Sequence, residues 1–169
     1  MDIATFGAGC FWCIEAILLS VPGVHSVQVG YSGGDISNPK YEMVCKGLTG
    51  HAEVAQVKFD KELLSYEKLL SIFWEIHDPT TLNRQGNDIG TQYRSCIFYH
   101  DNFQKEIALK LKDKLQDSYS EAIVTQISTF ENFYIAEDYH QNYYNNNKNA
   151  PYCNIVIKPK IEKYLNEKK

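Results

Sequence analysis

Apolar positions recur along this chain at a spacing of two in some stretches and of three to four in others, and the switching between these periods predicts its elements. Residues 3–6 read as a strand running into the glycine turn Gly7-Ala8-Gly9, and an apolar helix follows over about 10–20, stopped by Val21-Pro22-Gly23. Val24, Val27 and Val29 mark a second strand that ends in the breaker cluster Gly30-Tyr31-Ser32-Gly33-Gly34. A third strand spans 52–59, where Val54 and Val57 sit among polar partners. Ser65 is placed as an N-cap, with Leu64 and Leu69 as a hydrophobic staple, for a helix whose apolar face is Leu69, Leu70, Phe73 and Ile76 and which Asp78-Pro79 ends. A polar loop over 80–92 precedes a strand over 93–99, an amphipathic helix over 103–115 and a further short strand over 123–127. Five of the ten residues 141–150 are Asn, which predicts a surface loop anchored by Tyr143 and Tyr144, and a basic helix from about Pro159 closes the chain.

The order β-α-β-β-α-β is that of the ferredoxin-like split motif, an α+β two-layer sandwich with its helices on one face of the sheet. No repeat or linker breaks the 169 residues, so one domain spanning 1–169 is expected.

Composition matters chiefly for what it excludes. With 44% hydrophobic and 22% charged residues the chain is neither disordered, collagen-like nor a coiled coil. Seventeen Lys+Arg against 21 Asp+Glu give a net charge of −4, the wrong sign for holding phosphates, so no nucleic-acid partner is expected. No Lys or Arg precedes Lys40, and Glu15 interrupts the apolar stretch 3–24, so neither a signal peptide nor a membrane span is expected there. A cytoplasmic monomer without membrane contact is the expectation. Five cysteines, an odd number in a chain large enough to fold unstapled, read as reduced thiols with some of them chemically employed.

The sharpest chemical signal is GCFWC at 9–13. A thiol at a helix N-terminus gains from unpaired backbone N–H groups and the helix dipole, which lower its pKa below the free value of about 8.5 and make Cys10 a candidate nucleophile. Cys10 and Cys13 also spell C-x-x-C, which fits a dithiol redox pair or half of a zinc site. Zinc would need further ligands at matching spacing, and Cys45, His51, Cys96, His140 and Cys153 are scattered, so no metal is expected. A general dithiol–disulfide oxidoreductase built on Cys10 and Cys13 stays open at this point, as does a non-enzymatic methionine-binding or metal-binding module.

Five stretches in the same order over roughly residues 5–155 resemble the peptide methionine sulfoxide reductase A family. They are GCFWC (9–13), VPGVHSVQVGYSGG (21–34), NPKYEMVCKGLTGHAEVAQVKFD (38–60), HDPTTLNRQGNDIGTQYRS (77–95) and AEDYHQNYY (136–144). The resemblance implies the ferredoxin-like fold and reduction of the S epimer of methionine sulfoxide, free or in proteins, with no cofactor and with thioredoxin as external reductant. It implies that Cys10 attacks sulfur, that Glu53 is the acid and that Tyr41 and Tyr93 hydrogen-bond the oxygen. A carboxyl in that half-apolar strand would be kept protonated by desolvation, and a phenol donates while staying neutral. Phe11 and Trp12 match the pocket for the S-methyl group, Asp88 a residue that holds a tyrosine or the substrate, and His140 and Tyr143 the pocket border.

Cys153 matches the resolving cysteine that condenses with the sulfenic acid left on Cys10, and Tyr152 lines the site beside it. The chain lacks the glycine-rich tail with a further cysteine found in the longest family form, so the disulfide offered to thioredoxin is expected to be Cys10–Cys153. Cys13 stands where some members carry a small residue, and a bridge from it to Cys10 within one helix is expected to be strained. His51 is read as structural, and Cys45 and Cys96 as inert, buried and in strand-like surroundings.

Overall fold

The computed structural model describes residues 1–167; the last two residues of the expected 1–169 domain lie outside the described residues. Strand β1 (Asp2–Gly7) leads into helix α1 (Phe11–Leu18), strand β2 (Val24–Ser32), the short helix α2 (Tyr41–Cys45) and strand β3 (Ala52–Phe59). Helix α3 (Tyr66–Glu75), a two-stranded hairpin of β4 (Arg84–Gln85) and β5 (Asp88–Ile89), strand β6 (Cys96–Tyr99) and helix α4 (Asn102–Gln116) follow. Strands β7 (Gln126–Thr129) and β8 (Tyr134–Ile135), the one-turn helix α5 (Tyr143–Asn146) and helix α6 (Lys158–Glu167) complete the order.

The large sheet runs β7-β6-β1-β3-β2-β8. Its inner four strands, with β1 antiparallel to both β3 and β6 and β2 antiparallel to β3, are the ferredoxin-like split motif that the element order predicts. The core explains the pattern: Ala55, Val57 and Phe59 of β3 share one face with Ala4 and Phe6 of β1, and on that face lie Ile14, Ile17 and Leu18 of α1 and Leu69, Leu70, Phe73 and Trp74 of α3. Each such side chain taken fully from water contributes about 1.5–3 kcal/mol. Ser65 caps α3 as expected, accepting from the Lys68 N–H at 3.1 Å, with Leu64 and Leu69 both buried.

Three expectations shift. The strand expected over 93–99 begins only at Cys96, because its partner β1 ends at Gly7, opposite Cys96; Tyr93 lies instead in a 3-10 turn over Thr91–Tyr93. The strand expected over 123–127 starts at Gln126, opposite the start of β6, while the Val124 N–H bonds to the Pro79 carbonyl. Helix α2 was not legible, since only Val44 on it is buried. No helix among the described residues is long and apolar enough to cross a membrane.

Candidate active site

Gly9 ends the turn after β1 with φ +90°, and a Cβ there would stand 2.7 Å from a side-chain carbon of Gln85, so only glycine fits. The turn delivers Cys10 as the N-cap of α1, with φ −59° and ψ 123°. The first free amide of the helix, Phe11 N–H, donates to Glu53 Oε1 at 3.2 Å. Residues 53, 55, 57 and 59 share one face of β3, so Glu53 is the end of a core-facing row where that row reaches the first turn of α1. Its side chain is 1% exposed and Oε2 has no partner among the described residues. Burial raises its pKa to about 8, with Asp88 and Cys13 adding and the Phe11 N–H opposing. Glu53 is therefore a neutral acid near pH 7 rather than an exposed strand residue paired with Lys58.

Tyr41, at the start of α2, and Tyr93, in the 3-10 turn, are half-buried, and burial raises both phenols above the ordinary tyrosine value. Ionisation of Glu53 would raise both further, and ionisation of Cys10 would raise Tyr93. Glu137 holds Tyr41 in place: it accepts from the Tyr41 N–H at 3.1 Å, the Tyr31 hydroxyl at 3.0 Å and the Tyr139 hydroxyl at 3.3 Å. Nothing in the spacing of the sequence singled Glu137 out.

Phe11 is fully buried against Tyr31, ring centroids 5.8 Å apart, whereas Trp12 is half-buried at the site's edge. Tyr143 stacks on Trp12 at 3.8 Å and 9°. The Trp12 indole N–H donates to His140 Nδ1 at 3.0 Å, which assigns the proton of the neutral imidazole to Nε2. That Nε2 is buried and has no partner among the described residues, and the centroids of the His140 and Tyr41 rings lie 4.4 Å apart. The loop carrying Tyr143 is tied down by Glu15, buried in α1, which accepts from the Asn142 N–H at 2.8 Å.

Cys10, Cys13 and Cys153 lie in one buried cluster with Ile157, bordered by Tyr93, Tyr143 and Tyr152. Within this cluster the Cys10 and Cys13 thiols and the Tyr152 hydroxyl act on one another's protonation. Tyr152 also donates to Asp88 Oδ2 at 3.4 Å. Lys160 of α6 brings its ammonium to 3.8 Å from Cys13 Sγ. The expected lowering at Cys10 falls on its neighbour instead. Burial first, then Cys13 and Glu53, raise the Cys10 thiol well above its ordinary value, while the hydrogen bond from Cys10, then Lys160, lowers Cys13 to about 7. The reason is local, because Cys10 makes no capping hydrogen bond and the first helix amide goes to Glu53.

Cys45 is also corrected: it is exposed, on α2, with its thiol against the Tyr41 hydroxyl. Cys96 is buried as expected, its pKa raised by burial to about 12. His51 is structural, accepting the Gly34 N–H at 3.0 Å and contacting the Ile36 carbonyl at 2.7 Å. No group of three or more His, Cys, Asp or Glu among the described residues could hold a metal ion. A cleft of about 660 Å³ beside α3 and α6 contains none of the expected site residues, although Lys160 borders it.

A family model described as peptide methionine sulfoxide reductase matches residues 2–169. The chain is similar to the peptide methionine sulfoxide reductase MsrA of Saccharolobus solfataricus, 53% identical over 98% of this chain and 93% of that protein. It is 54% identical to the enzyme of the same name from Leptospira borgpetersenii, over 98% and 94%. Among solved structures, Mxr1 from Saccharomyces cerevisiae in reduced form matches with a TM-score of 0.85 at 36% identity, over 90% of this chain and 88% of that one. The same yeast protein in complex with Trx2 matches with a TM-score of 0.61 at 27% identity, over 84% of each.

Proposed function

This chain belongs to the peptide methionine sulfoxide reductase family and is a methionine sulfoxide reductase, and from that premise we propose that it acts on the S epimer, free or in proteins, through Cys10. The observation that carries the reading is Glu53, a buried carboxylic acid held toward its neutral form, whose Oε2 has no partner among the described residues, beside the N-cap thiol. General disulfide exchange has no use for such a group.

Reducing a sulfoxide requires a thiolate to attack sulfur and a proton for the oxygen, since oxide does not leave unaided. Cys10 attacks as its proton passes to Cys13, the thiol that holds the charge beforehand. Glu53 supplies the proton for oxygen, and Tyr41 and Tyr93 hydrogen-bond it while staying neutral. Trp12, backed by Phe11, receives the S-methyl group, where sulfur–aromatic contact is worth about 0.3–1.5 kcal/mol. Asp88 orients Tyr152, and the free His140 N–H and Tyr143 border the pocket. Oxygen transfer leaves a sulfenic acid on Cys10, and the oxidised enzyme ends as a Cys10–Cys153 disulfide. Thioredoxin reduces that disulfide by exchange, a reading supported by the complex of the related Mxr1 with Trx2. The chain acts as one catalytic domain, a cytoplasmic monomer that needs no metal or other cofactor.

The test is turnover of the two epimers of a blocked methionine sulfoxide with thioredoxin as reductant. The S epimer is consumed and the R epimer persists. Equal consumption of both, or of neither, overturns the reading.

A further inference from the structure

Tyr41 and Tyr93 serve one oxygen, yet they arrive on separate segments, the short helix α2 and the 3-10 turn over Thr91–Tyr93. Gln92, which takes no part in the chemistry, joins the two. Its side chain is 4% exposed, and its Nε2 donates at 3.4 Å to the carbonyl of Cys45, the last residue of α2. We propose that Gln92 is a positioning residue that sets the separation of the Tyr41 and Tyr93 hydroxyls across the sulfoxide oxygen. The inference rests on the reductase reading, because it needs both phenols on that oxygen.

Three observations carry it. The turn is the fixed side of the link. The Tyr93 N–H bonds to the Gly90 carbonyl at 3.0 Å, and the Arg94 guanidinium donates to the Thr91 carbonyl and the Gly50 carbonyl, each at 3.0 Å, and to Gln126 Oε1 at 2.9 Å. Those bonds tie the turn to the loop ahead of β3 and to β7, two strands of the large sheet. Helix α2 is the movable side, because five residues with only Val44 buried do not hold a helix in place by themselves. Glu137 holds its first N–H, at Tyr41, and Gln92 holds a carbonyl of its last turn, which has no acceptor role left within the helix.

The third observation is that Gln92 returns little stability where it sits. Its Oε1 is buried with no partner among the described residues, and its Nε2 bond is long. Gly90, at φ +148°, has to lack a Cβ, which would collide with the Gln92 carboxamide. A buried polar group kept at such a cost, between two segments that each carry a donor, is explained by the placement of those donors. One sulfoxide oxygen accepts from both phenols only when both hydroxyls lie within about 3 Å of it. A shift of α2 by about 1 Å therefore breaks one bond of the pair.

Gln92→Met keeps the length of the side chain and deletes the bond; Gln92→Asn keeps the carboxamide but is one methylene short of the Cys45 carbonyl. With all thiols reduced, single turnovers of blocked S-sulfoxide run about twofold to tenfold slower in both. Competitive inhibition by blocked methionine, which lacks the oxygen, stays within about twofold of the wild type, and the urea midpoint of Gln92→Met does not fall. Added to Tyr41→Phe/Tyr93→Phe, itself slow, either substitution costs nothing more. Wild-type rates in both variants, an equal further loss in the double phenylalanine background, a parallel weakening of inhibition by blocked methionine, or a rate loss in Gln92→Met that accompanies a lowered urea midpoint overturns the inference and leaves the reductase reading standing. A double phenylalanine variant as fast as the wild type overturns it together with the roles of the two tyrosines. No methionine from the wild type overturns the inference and the reductase reading alike.

Discussion

Glu53→Gln separates the chemical role of this carboxyl from its effect on the fold, and the two move in opposite directions. Glutamine keeps the shape and the acceptor for the Phe11 N–H, but it has no proton for the sulfoxide oxygen. With a pKa of about 8, roughly nine in ten wild-type molecules hold that proton at pH 7. Single-turnover methionine formation should fall by about 10²–10⁴-fold in the variant. The wild-type rate should itself drop about tenfold per pH unit above pH 8. Stability runs the other way. The folded pKa is raised above its ordinary 4.5, so the fold favours the protonated form; the stabilisation is full below about pH 4.5 and is lost as pH rises through 8. At about 1.4 kcal/mol per pH unit, that window is worth at most about 5 kcal/mol, with little screening at a side chain 1% exposed. Glutamine cannot ionise, so the variant should match the wild type near pH 4.5 and exceed it by several kcal/mol at pH 9. Rapid-quench methionine assays and urea midpoints across this range, with all thiols reduced, read both quantities. A variant as fast as the wild type, or one whose midpoint falls in parallel with it as pH rises, would refute the argument.

Three further outcomes follow from the geometry. Cys10→Ser should abolish methionine formation from the S epimer, because a serine hydroxyl is neither acidic nor nucleophilic enough to attack sulfur; activity near the wild-type level would put the nucleophile elsewhere. Tyr143→Ala removes the 3.8 Å stack on Trp12, a contact of about 0.5–1.5 kcal/mol, and steady-state kinetics should show KM raised by about twofold to tenfold with a smaller change in kcat. Glu137→Ala takes the acceptor from the Tyr41 N–H and the Tyr31 hydroxyl, which should lower stability by about 1–3 kcal/mol per unpaired buried donor. It should also slow methionine formation, and adding Tyr41→Phe should then cost less than it does alone; strictly additive losses would mean that Glu137 does not act through Tyr41.

Local pattern determined a good deal about this protein. The split β-α-β-β-α-β order, the cap at Ser65, the glycine turn that ends at Cys10 and the bounds of β3 were legible because each depends on neighbours a few residues away. The stretches around Cys10, Glu53 and His140 named the chemistry through their resemblance to a family. Their electrostatics depended on the tertiary structure. Glu53 stays protonated because α1 and β3 bury it together. The low thiol pKa moved from Cys10 to Cys13 because burial, first of all, raises Cys10, while Cys10 itself and then Lys160, 147 residues from Cys13, lower that thiol. Strand ends at Cys96 and Gln126 were likewise set by where partner strands stop. Periodicity reports which face of an element is buried, but a pKa, a tautomer or a strand boundary is fixed by groups that only the folded chain brings within a few ångströms.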